Sequence, residues 1–192
     1  MILLNALEEF AEPRNSPDRR LLLSTLISVY KFATPPRWTD IERLCQEREE
    51  VWPDAFSKLE TGMIFFWSRD DYERAAVKLR EAIEFGRRQN KEHDTIIVYQ
   101  ALSTLGHALL RLGRQSEAIE VLGEIEAMVP GRVVVGDETG FLETLLKQGL
   151  VLDRVAKLAS ILAPVSRDPA FRKRLAKVAK QAAERARRPL PR

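Results

Sequence analysis

The chain has a single cysteine, Cys45, among 192 residues. One thiol excludes an intrachain disulfide and makes a reducing compartment the simple expectation. A lone cysteine on an apolar helix face is more often a small packed residue than a nucleophile. Nine glycines and ten prolines are too few for a sandwich of short strands or for a disordered chain. No apolar run approaches the roughly 20 residues of a spanning helix. The opening MILLNALEEF has no cation ahead of its apolar residues and is interrupted by Asn5, Glu8 and Glu9. No signal peptide is therefore expected, and a soluble, cytoplasmic protein is. The sequence also lacks the phosphate-binding G-x-x-x-x-G-K-[ST], the zinc-binding H-E-x-x-H and the nucleophile elbow G-x-S-x-G. Its two histidines, His93 and His107, have no cysteine or carboxylate at convincing ligand spacing. No catalytic constellation, cofactor or metal is expected.

Hydrophobic residues make up 45% of the chain and charged residues 31%, the balance of a folded globular protein of one domain. The formal net charge of +3 is unevenly spread. Residues Arg167 to Arg192 hold ten Lys/Arg against Asp168 and Glu184, a surplus of +8, which leaves the rest of the chain at −5. The body is mildly acidic and the tail is basic.

Helical periodicity runs through the chain. Residues 1–11 predict a short helix with Leu3, Leu7 and Phe10 on one side. After Pro13 and Pro17, Leu21, Leu22, Thr25, Leu26, Val29 and Tyr30 predict a wide apolar face, stopped by Pro35 and Pro36. Thr39 or Asp40 then caps a helix whose inner side carries Ile41, Leu44, Cys45 and Val51. Glu47, Glu49 and Glu50, with Arg48 among them, read as a solvated charge run. Asp54 predicts the cap of a helix from Ala55 to about Ser68. Arg69-Asp70-Asp71 forms a turn, and a second helix starts near Tyr72. Val133 to Val135 reads as an extended connector. Helices are expected from Gly140 to Gln148, ended by Gly149, and from Asp153 to Pro164. Asp168 and Pro169 open a last helix with a narrow stripe of Phe171, Leu175, Val178 and Ala182. Pro189 to Arg192 reads as a frayed end.

The clearest unit is Leu102 to Pro130, LSTLGHALLRLGRQSEAIEVLGEIEAMVP. Leu102, Leu105, Gly106 and Leu109 lie at helical spacing, followed by a Gly113 turn, Ala118, Leu122, Ile125 and Pro130. This resembles a tetratricopeptide repeat (TPR), the 34-residue helix-turn-helix unit with W-x2-L-G-x2-Y, A-x3-F and P. Leucines occupy the aromatic slots, and Gly106 and Ala118 are read as small residues on facing helices. Leu59, Phe66 and Ala75 precede Leu102, Leu109 and Ala118 by 43 residues each. The extra length over a 34-residue period lies in Arg87 to Thr95 and is expected to lengthen the second helix and its loop. Phe141, Leu145, Gly149 and Leu158 follow Leu105, Leu109, Gly113 and Leu122 by 36. The resemblance implies one clear repeat at about 99–130 and two degenerate ones at about 55–88 and 136–166. The implied fold is all-α: a TPR-like right-handed α-solenoid of antiparallel helical hairpins with a C-terminal capping helix. Residues 1–53 would add N-terminal helices, 54–166 the repeats and 167–192 the basic helix and tail.

In the TPR family the first helix of each repeat lines a groove that receives partner peptides or helices. By matching spacing, the groove positions include Gln100, Ser103, His107, Leu110 and Arg111, then Glu60, Ile64 and Trp67, then Glu143 and Lys147. Their mixed character suits a peptide or amphipathic helix. For Ile64 and Trp67 the bland alternative is packing on a neighbouring helix. The groove lacks the Lys and Asn cluster of the chaperone-binding class. The resemblance thus implies a non-catalytic adaptor that binds another protein. Two alternatives stand beside it. Arg172, Lys173, Lys177, Lys180, Arg187 and Arg188 form a basic surface that could meet nucleic acid, although aromatic interleaving is absent apart from Phe171. Incompletely covered repeat ends could also self-associate.

Overall fold

A computed structural model describes residues 16–89, 92–128, 138–166 and 168–187. The readings made for residues 1–11, Val133 to Val135, Arg188 and Pro189 to Arg192 lie outside them. The described residues form nine α-helices and no strand, in an all-α helical repeat of antiparallel hairpins. The helices are α1 (Pro17–Phe32), α2 (Trp38–Val51), α3 (Ala55–Arg69), α4 (Tyr72–Gln89), α5 (Glu92–Arg111), α6 (Gln115–Met128), α7 (Glu138–Gln148), α8 (Leu152–Val165) and α9 (Pro169–Ala186).

Local chemistry sets most boundaries. Ser16 Oγ accepts the Arg19 amide at 3.1 Å, and Pro17 takes the first helical position of α1. Asp54 Oδ1 accepts the Ser57 amide at 2.8 Å at the start of α3, and Asp168 Oδ1 accepts the Ala170 amide at 2.7 Å at the start of α9. Gly113 and Gly149 adopt φ of +75° and +73°, the left-handed conformation that ends α5 and α7 and that a side chain disfavours. Their spacing of 36 residues is the one carried by the apolar anchors. The 43-residue spacing arises because α4 and α5 are long, at 18 and 20 residues.

Four local expectations need correction. In α1 the buried face is Leu23, Leu26, Ile27 and Tyr30, whereas Leu21 is 69% and Val29 44% exposed. Among the described residues α2 is its main neighbour, so its apolar stripe there is narrower than the sequence suggests. Thr39 and Asp40 lie inside the first turn of α2 and cap nothing; Asp40 pairs with Arg37 at 2.7 Å instead. Pro164 is inside α8, which ends one residue later. Arg48 is 1% exposed, and the Glu49 side chain is also largely covered, so the 47–50 run is no solvated face.

Consecutive helices pack on one another from α1 to α6 and from α7 to α9, and α3, α5, α7 and α9 also pack side by side as an inner row. The main core joins α3 through α9; Leu23, Leu26, Ile27, Ile41, Leu44, Cys45 and Ile64 form a second cluster under the first hairpin. The outer row of α2, α4, α6 and α8 is bridged by ion pairs, Lys78–Glu49 at 2.7 Å, Arg80–Glu117 at 2.7 Å, Arg87–Glu124 and Arg154–Glu126 at 2.8 Å. Gly106 opens toward α7 rather than toward Ala118: a β-carbon there would lie 2.5 Å from the Phe141 ring. Gly62 does the equivalent work inside the α3–α4 hairpin, against Leu79 at 2.8 Å.

Candidate functional site

The inner row is where sequence-predicted positions converge. Its middle helix, α5, is buried from Ile97 to Leu110 except at Gln100 and His107, as befits a helix with neighbours on most sides. That crowding removes several expected groove residues from the surface. Ser103 is fully buried and its Oγ donates to the Tyr99 carbonyl at 3.0 Å. Leu110 is in the main core, and Ile64 belongs to the N-terminal cluster, which is the bland alternative for that residue. Glu60 turns toward α2 and pairs with the buried Arg48, whose Nη2 also donates to the Ser57 carbonyl at 3.1 Å.

The remaining positions come together across the row. Trp67 on α3 is 50% exposed. Its ring stands edge-on to Phe66 at 4.5 Å and lies 6.2 Å from His107 on α5. His107 Nε2 is 3.2 Å from Thr144 Oγ1 on α7. Thr144 Oγ1 donates its own proton to the Gly140 carbonyl at 2.9 Å, so Nε2–H is the donor and Nδ1 keeps a lone pair. Burial, and then the nearby cations Arg111 and Lys147, push the imidazole pKa down to about 4, so the ring is neutral at pH 7.

Arg111 lies beside the Tyr72 ring at 5.2 Å and donates from Nε and Nη2 to its hydroxyl at 3.1 and 2.8 Å; that hydroxyl donates in turn to Asp70. On α7, Glu143 receives Arg174 of α9 through two bonds of 3.0 and 2.8 Å. That pairing, with Arg174, Lys147 and Lys177 as the surrounding charges, holds its carboxyl below the usual range. Lys147 is exposed. Gln100 is half-buried further back along α5.

The basic helix α9 divides by residue type. Its arginines serve the fold: Arg174 holds Glu143, Arg172 donates to the Ser166 carbonyl at 2.8 Å, and Arg185 caps the Leu146 carbonyl at the end of α7. Lys173, Lys177, Lys180 and Arg187 are exposed, with Lys180 4.0 Å from Glu184. Leu175, Val178 and Ala182 are buried, as expected of a capping helix, and Phe171 is half-buried.

Tyr72, Thr144 and Arg174 belong to the surface but were outside the sequence-based groove set. Tyr72 carried a signal, an aromatic residue immediately after the Asp70-Asp71 turn. Thr144 and Arg174 carried none, because their roles depend on neighbours distant in sequence.

Elsewhere, a cleft of about 690 Å³ lies among α2, α3 and α4, lined by Cys45, Glu49, Phe65 and Lys78. A second of about 510 Å³ lies among α4, α5 and α6, over Ile83, Leu102, Leu105 and Val121. Burial pushes the Cys45 thiol up to about 11, so it is protonated and a poor nucleophile. Among the described residues no three His, Cys, Asp or Glu side chains are grouped to hold a metal ion, and no helix is long and apolar enough to cross a membrane. No family model, curated protein or solved structure matches this chain.

Proposed function

We propose that this chain is a non-catalytic protein-interaction module, a TPR-like adaptor whose inner row receives a peptide or helix of another protein. The observation that carries the reading is Trp67. A tryptophan left half-exposed forgoes part of a large burial gain, and tryptophan and arginine are the side chains that tend to dominate interface energetics. Trp67 is held by Phe66 and His107, and Arg111 by Tyr72, so both are positioned before a partner arrives. Such preorganisation lowers the ordering cost of binding. A cytoplasmic location accords with the single, unpaired cysteine.

The test compares proteins captured from native lysate by the full chain, by Trp67→Ala and by Arg111→Ala, with helical circular dichroism as the folding control. A partner captured by the full chain and lost by both variants, with helicity retained, supports the adaptor reading. Capture indifferent to both substitutions refutes the inner-row site. A second reading, nucleic-acid association, is favoured by the exposed Lys173, Lys177 and Lys180 on α9. It predicts that capture disappears with nuclease or on ending the chain at Ser166.

A further inference from the structure

Charge on the inner row has a direction. From the C-terminal end of α3 to α9 the strip presents Arg111, Lys147, Arg174 and Lys177, against Asp70 and Glu143. Both carboxylates are already occupied, Asp70 by the Tyr72 hydroxyl and Glu143 by two bonds from Arg174. Arg111 is held by a neutral phenol rather than a carboxylate. Lys147 and Lys177 are exposed, near enough to Glu143 to act on it electrostatically. The strip therefore offers cations whose carboxylate demand is unmet, with the half-exposed Trp67 at its α3 end.

Resting on the adaptor reading, we infer that the partner segment is acidic, with an apolar side chain at one end for Trp67 and carboxylates for Arg111, Lys147 and Lys177. These cations sit on three successive inner-row helices. Packed helices are about 8–10 Å apart, so the matching carboxylates recur at about that step. That is roughly every third residue of an extended peptide at ~3.3 Å per residue, or about every sixth or seventh of a helix at 1.5 Å per residue. Nucleic acid fits less well. One exposed tryptophan ring, packed edge-on to Phe66, is no series of stacking platforms.

The experiment is selection of a random dodecapeptide display library on the full chain, followed by affinity measurements on the enriched peptides. The same measurements are made on Trp67→Ala, on Lys147→Glu/Lys177→Glu, and with a mixed-sequence single-stranded oligonucleotide. The inference expects peptides with an apolar residue and carboxylates at the stated step. It expects a loss of about tenfold or more for each variant and weakening as salt rises. Enriched peptides that need Trp67 but are neutral or basic overturn the acidic inference and leave the adaptor reading standing. No enrichment, or peptides indifferent to Trp67→Ala, overturns both. Oligonucleotide binding tighter than that of the best peptide, and lost in the double variant, transfers the strip to nucleic acid and refutes the inference.

Discussion

Gly106 allows a test in which two effects of opposite sign compete. Replacing a helix-interior glycine by alanine ordinarily stabilises a helix by about 1 kcal/mol. At Gly106 the new methyl would lie 2.5, 2.7 and 2.8 Å from three atoms of the Phe141 ring. That ring is fully buried between α5 and α7, and overpacking of this kind costs about 1–3 kcal/mol or more. With three ring atoms in conflict the upper end applies, so Gly106→Ala should lose about 2 kcal/mol net. Gly123 on α6 supplies the control, because its β-carbon would meet only the far end of the Arg154 side chain at 3.3 Å. Gly123→Ala should gain about 0.5–1 kcal/mol. For a domain of this size 1 kcal/mol moves Tm by roughly 2–4 °C. Thermal unfolding followed by circular dichroism should show Gly106→Ala lowered by roughly 4–8 °C and Gly123→Ala raised by roughly 1–4 °C. Trimming the ring with Phe141→Leu should make the added Gly106→Ala cost much smaller than in the parent. If Gly106→Ala is neutral or stabilising, Phe141 is not wedged against α5, and the account of how the third and fourth hairpins meet is wrong.

Three further predictions concern the site and its support. The folded His107 pKa of about 4 lies below its free value of 6.5. The fold therefore favours the neutral ring, and its contribution is complete above pH 6.5 and is lost as pH falls toward 4. Allowing for the partly exposed ring, urea unfolding should show about 1–2 kcal/mol of such loss that is absent in His107→Gln; identical pH profiles would refute the geometry. Arg48→Ala should destabilise by about 3 kcal/mol and Arg48→Met by about 1 or less, because the buried stem and its unmatched Nε matter more than the charge; equal losses in denaturant unfolding would contradict that. Asp54→Ala should cost about 1 kcal/mol in the same assay by removing the α3 cap, and an unchanged midpoint would show that the cap is dispensable.

What could be read from the sequence was local. Caps such as Asp54 and Asp168, and the glycines at 113 and 149, act within a few residues, so composition near a helix end was enough to place it. The repeated anchors Leu59, Leu102, Phe66, Leu109, Ala75 and Ala118 are all buried, because helical periodicity reports which side is apolar. Periodicity does not report which neighbour that side meets. This is why the α1 face was misjudged, why Gly106 was matched with Ala118 rather than Phe141, and why Arg48 looked solvated. The same limit shaped the site. Trp67, His107, Arg111, Glu143 and Lys147 share the inner row, whereas Ser103, Leu110 and Ile64 had the right spacing but are buried, Ile64 in the N-terminal cluster.

The most direct test of the inner-row site is photo-crosslinking with p-benzoylphenylalanine in place of Trp67. The same residue placed at Val77, exposed on outer helix α4, serves as the control. Irradiation in native lysate should yield a discrete protein adduct from position 67 and none of the same mass from position 77. The same adduct from both positions, or adducts from position 77 alone, would contradict the inner row as the docking face.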